Sequence, residues 1–172
     1  QNSPTMIVKC LGIQCFVNYQ ANRLDEAVQV GDEAIEAARK WGEPWELCSI
    51  LSIRNLVTRI AGELRQSMKL SETLYHVACR VKSHQHMGWG LSHMGYVSFL
   101  MGQSPELSLD TVTRGLDLVK KSKDYYAWSG DSGQFRALLL AQLGQYEDAI
   151  EQVEECLQIQ REKKYSSPSI GK

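Results

Sequence analysis

Several groups of side chains in this 172-residue chain are of the types that do chemistry. Gly130-Asp131-Ser132-Gly133 sets a serine among small residues, as a nucleophile requires. That chemistry also needs a base and an orienting acid, held with a rigid oxyanion turn in a strand-built frame. No stretch of the chain sustains strand-type alternation, so the segment reads as a helix junction with Ser132 in a loop or cap. His84-Gln85-His86, with Cys79 and His93 nearby, carries zinc-type donors. Zinc needs three or four such groups converging tetrahedrally, and nothing in this spacing forces convergence. No metal is expected, and His84 and His86 read as solvated residues of a connection. Gly88-Trp89-Gly90 lacks the preceding strand and the lysine of a phosphate loop, so no cofactor is expected. Glu151, Glu154 and Glu155 read as a solvated helix face. Trp41, Trp45, Trp89 and Trp128 read as caps on the core between helix pairs, with a ligand stack as the competing use. No set of residues assembles a catalytic centre, and the expectation is a protein that is not an enzyme.

The composition sets the frame for these residues. With 19 Lys+Arg against 20 Asp+Glu, the chain lacks the basic surface that a sequence-independent grip on nucleic acid needs. No apolar run approaches the roughly 20 residues of a membrane span. The first residue is Gln, so the chain reads as a piece of a longer protein. Cys10, Cys15, Cys48, Cys79 and Cys156 are odd in number, have no framework spacing and stand among Leu, Val and Ile. They read as reduced, apolar packing residues of a cytoplasmic protein.

A repeat organises the whole chain. Leu11, Leu51 and Leu91 recur at a 40-residue step, and the same step carries Val17 to Val57 to Val97 and Asn22 to Gly62 to Gly102. Gly144 continues the series after two one-residue insertions. Each unit reads as two helices around a turn that wants a left-handed backbone, which Gly allows and Asn tolerates. In the first unit Ala27, Val30, Ala34 and Ala38 share one face of the second helix. Acid pairs open such helices, as Asp25-Glu26 and Glu147-Asp148, where negative charge is favourable. The expected pairs are 5–20 with 24–40, 44–61 with 65–83, 87–101 with 105–122 and 126–143 with 147–164. Together they form one all-α domain over 1–164, followed by a tail or linker, 165–172.

Leu143-Gly144-Gln145-Tyr146-Glu147-Asp148-Ala149 and Asn22-Arg23-Leu24-Asp25-Glu26-Ala27 resemble the turn and second-helix signature of the tetratricopeptide repeat. Gly95 and Ala137 match its small first-helix residue, whereas Asn55 and Ser104-Pro105 depart from the pattern. Units longer than the usual 34 or so residues, with junctions such as Ala38 to Glu46, resemble the helical-repeat regions of MalT-like transcription regulators and of signalling ATPases fused to nucleotide cyclases or kinases. The resemblance implies a right-handed α-solenoid whose first helices line a concave face. On the family pattern that face carries Phe16, Tyr19, Leu56, Arg59, His93, Tyr96, Phe99 and Gln134.

The 40-residue step itself aligns Tyr19, Arg59 and Phe99 in one row and Phe16, Leu56 and Tyr96 in another. Such a face is expected to hold a protein or peptide, as a non-catalytic scaffold within a larger signalling or regulatory chain. The alternative is a small-molecule effector pocket. A deep pocket lined by Trp89, Tyr96 and Arg59 would favour the pocket reading, an open groove the scaffold. No nucleic acid or membrane partner is expected, and a homodimer is compatible with this reading. The Lys and Asn clamp by which tetratricopeptide modules hold chaperone tails is missing, since Gly12, Phe16, Ile53 and Leu56 stand at the matching positions.

Overall fold

The computed structural model describes residues 3–163, and the tail expected at 165–172 lies outside the described residues. Among the described residues the chain is all helix, with no strand. The helices are α1 (Pro4–Gln20), α2 (Leu24–Trp41), α3 (Pro44–Ile60), α4 (Leu64–Arg80), α5 (His84–Leu100), α6 (Pro105–Lys121), the short α7 (Tyr125–Ala127), α8 (Gly133–Gln142) and α9 (Tyr146–Lys163). Each packs against its neighbour in sequence, giving an α-solenoid of antiparallel pairs.

Local chemistry sets the helix ends. Proline occupies the first turn of α1, α3 and α6, where a missing N–H removes no bond. Glu43 and Glu46 form a capping box on α3, and Ser83 and Ser104 cap α5 and α6. The turns within pairs fall at Asn22 (φ 58°), Gly62 (φ 81°), Gly102 (φ 95°) and Gly144 (φ 74°), the equivalent positions of the repeat. Their backbone is left-handed, which explains the residue choice. Lys82 (φ 54°) and Lys123 (φ 57°) turn the chain between pairs in the same way, without the residue types that signal it.

Inside, the small first-helix position acts as expected. A Cβ on Gly95 would lie 2.9 Å from the Ser108 carbonyl oxygen of α6, so the two helix backbones approach too closely for a side chain here. At the same position in the second unit, buried Asn55 donates to Ser71 Oγ at 2.9 Å and accepts from Ser67 Oγ at 2.6 Å. A polar residue replaces a small one because α4 supplies both partners.

Five expectations need correction. Val57 and Val97 are buried, but Val17 is 50 % exposed because α1 has no preceding helix among the described residues to cover it. Cys15, Cys48 and Cys156 are buried, whereas Cys10 and Cys79 face outward and are not packing residues. Trp41 and Trp45 are 45 % and 51 % exposed, so they do not seal the core. His86 is buried in the first turn of α5 rather than solvated, because that helix begins three residues before the expected boundary. The first helix of the fourth pair is not continuous. A π-helical turn, Trp128–Ser132, separates α7 from α8, with Gly130 (φ −97°, ψ −126°) outside helical geometry.

Candidate functional site

The first helices of the pairs line a partly open cavity of about 340 Å³. Phe16 and Tyr19 come from α1, Leu56 and Arg59 from α3, and His93 and Tyr96 from α5. Gln134 and Phe135 come from α8, with Tyr126 and Asp131 supplied by the broken stretch before it. Of the residues placed on this face by the sequence, all but Phe99 line the cavity. Phe99 lies behind Tyr96, its ring centroid 6.5 Å away, and packs into the cluster of Val112, Phe135 and Leu139. In the third unit the position of Tyr19 and Arg59 is thus taken by a ring that packs among α6 and α8 residues.

Aromatic rings form the walls. Tyr96 stacks on Phe135 with centroids 4.1 Å apart and planes 4° from parallel, and Phe16 lies 6.1 Å from Tyr19. Trp89 is pinned by its indole N–H, which donates to Asp124 Oδ2 at 2.8 Å. Asp124 also accepts from the Gln85 amide and the Ala127 backbone N–H, so the start of α7 fixes the Trp89 wall. Such rings give a rigid apolar surface at little cost in side-chain entropy.

The polar end is built differently. Arg59 lies over the Phe135 and Tyr96 rings, 5.0 Å and 5.7 Å from their centroids. Its Nη2 is 3.5 Å from Asp131 Oδ2, beyond ordinary hydrogen-bond length, and its buried Nε has no partner. The same Asp131 oxygen stands 3.6 Å from His93 Nε2, while His93 Nδ1 is buried without a partner. Burial pushes the His93 imidazole down to about 4, a shift that the Asp131 charge opposes and Arg59 reinforces. His93 is therefore neutral at pH 7, and Arg59 is the one full cation among the lining residues. Burial first, and the Asp131 carboxylate second, raise the Tyr19 and Tyr126 hydroxyls above their ordinary values.

Asp131, Tyr126 and Phe135 are not legible in the sequence as site residues. The only signal there is Gly130-Asp131-Ser132-Gly133, and its serine is not the part that faces the polar groups. Ser132 is buried at the end of the π-helical turn, and Asp131 is the side chain this turn presents to Arg59 and His93. His86 belongs to a separate, closed arrangement. Its Nδ1 meets Ser83 Oγ at 2.9 Å and its Nε2 meets Ser49 Oγ at 3.3 Å, between the rings of Trp45 and Trp89. Among the described residues no three His, Cys, Asp or Glu side chains come together as a metal site. No protein-family profile matches this chain, and no curated protein matches it in sequence.

Proposed function

We propose that this chain is a non-catalytic ligand-binding domain whose concave cavity holds a small organic effector, serving a larger cytoplasmic regulatory or signalling protein. The observation that carries this reading is the cavity itself. At about 340 Å³ it falls within the range of small-molecule sites, and it joins aromatic walls to a few convergent polar groups. Its first helices belong to successive repeat units, so a ligand that bridges them sets the curvature of the solenoid. That supplies a route from occupancy to neighbouring domains, as the resemblance to MalT-like and ATPase-linked repeats suggests.

The reading is tested by a thermal-shift screen of small metabolites on the wild-type chain and on Leu138→Trp, a substitution at a 49 % exposed rim position. A ligand at a hundred times its Kd raises stability by about 2.7 kcal/mol. Hits that stabilise the wild type and lose their effect on Leu138→Trp support the proposal; a screen without such hits opposes it.

A protein or peptide partner is the second reading, favoured by one observation. Ile60, Tyr126 and Leu138 line the same cavity and are each 45–49 % exposed, an apolar rim that a partner's side chains could cover. A peptide that binds equally well to wild type and to a chain with its cavity filled would favour this reading.

A further inference from the structure

We infer that the ligand is a small aromatic or apolar carboxylic acid whose carboxylate takes the Arg59 guanidinium away from Asp131. This rests on the ligand-binding reading above and specifies its chemistry. Arg59 is a cation whose hydrogen-bonding capacity is largely unused. A guanidinium offers a planar fork that matches a carboxylate with two parallel bonds of about 2.7–2.9 Å. Here it has one monodentate approach of 3.5 Å and a buried Nε with no partner. Its side chain is 14 % exposed and the rings of Phe135 and Tyr96 hold it beside the cavity.

Asp131 is the occupant that marks the ligand's chemistry. Its carboxylate stands opposite the Arg59 charge but reaches neither Arg59 nor His93 within hydrogen-bond length. It is carried by the π-helical turn rather than by a regular helix, and its side chain is 39 % exposed. A competing carboxylate with an apolar body gains two things that Asp131 lacks, bidentate geometry on Arg59 and ring contacts along the walls. The displaced Asp131 side chain loses little, because water already reaches it. A single cation limits the ligand to one negative charge, since a second would face Asp131 without compensation. The turn Trp128–Ser132 itself stays in place when Asp131 moves, because Ser129 and Ser132 are buried and the Gln160 amide donates to the Ser129 carbonyl.

The test is calorimetric titration of 3-phenylpropanoate, indole-3-propanoate and their primary amides into the wild type, Asp131→Asn, Arg59→Gln and Arg59→Lys. Asp131→Asn removes the weak competitor and is expected to bind the acids roughly two- to threefold more tightly. Arg59→Gln is expected to bind them at least roughly tenfold more weakly, with Arg59→Lys between it and the wild type, because lysine keeps the charge without the fork. The amides are expected to be weaker ligands and indifferent to Asp131→Asn. Acids that bind Asp131→Asn no better than the wild type, or amides that match the acids, overturn the inference. In that case binding of the amides, blocked by Leu138→Trp, leaves the ligand-binding reading intact. Failure of every acid and amide, together with a metabolite screen without hits, overturns both. Asp131 is partly exposed, so its variant keeps the test open if the Arg59 variants unfold.

Discussion

Two arginines on α3, five residues apart, do opposite things. Arg54 is buried and fully engaged. Its Nε and Nη2 fork onto Asp32 at 2.8 Å and 3.3 Å, its Nη1 donates to Thr58 Oγ1, and its stem lies against Gly31, where a Cβ would come within 2.5 Å of it. Arg59 has a carboxylate at 3.5 Å, an unpartnered Nε and two aromatic faces. Both carry the same charge on the same helix, so the difference lies in what surrounds them. Arg54 joins α3 to α2, while Arg59 faces an open cavity. A buried polar group that is fully satisfied holds a fold together, and one left short of partners is available to bind.

The largest expected effect separates the two at the level of stability. Arg54→Met should lower the unfolding free energy by about 2 kcal/mol, since it removes the charged hydrogen bonds that the buried guanidinium makes to Asp32 and Thr58. Arg59→Gln should cost less than about 1 kcal/mol, because it removes only a long contact and ring packing. Urea unfolding of the two variants, with the slope unchanged, measures both. Equal losses would erase the distinction.

A smaller effect concerns pH. His86 and His93 are both lowered by burial to about 4, against 6.5 unfolded. Each is neutral when folded, so the unfolded chain binds more protons between these values. Stability is therefore full above pH 6.5 and falls as pH drops toward 4. Urea midpoints across that window should show the decline, and a flat profile would contradict the burial of both rings.

Finer still is the response of the two histidines to Asp131→Asn. Asp131 supports the protonated form of His93, whereas Asp124 does so for His86. The substitution should lower the His93 titration midpoint further and leave His86 unmoved, as read from their C2–H resonances. A shift of His86 instead would place Asp131 elsewhere than beside α5.

The reach of the sequence differs between these regions for physical reasons. The 40-residue step survives in turn residues, because Asn22, Gly62, Gly102 and Gly144 share a backbone conformation that few residues tolerate. It also survives in the rows of large side chains, where Phe16, Tyr19, Leu56, Arg59 and Tyr96 line the cavity and Phe99 does not, while His93 and Gln134 join them only through the family resemblance. Asp131 escapes that pattern, because its placement depends on a break in helical geometry at Gly130 that no repeat partner shares. The burial of His86 is hidden by a helix start set by Ser83, three residues before the expected boundary. Val17 obeys the repeat in register but not in burial, since the outer face of α1 has no neighbour among the described residues.

Asp131 is either a loose stand-in on Arg59 or its structural partner, and the proposed binding chemistry needs the first. A double-mutant cycle of Arg59→Gln and Asp131→Asn, measured by urea unfolding beside a cycle of Arg54→Met and Asp32→Asn, decides between them. The predicted coupling is below about 0.5 kcal/mol for Arg59 with Asp131 and above about 1 kcal/mol for Arg54 with Asp32. A coupling for Arg59 and Asp131 that equals or exceeds the Arg54 value would contradict the loose stand-in.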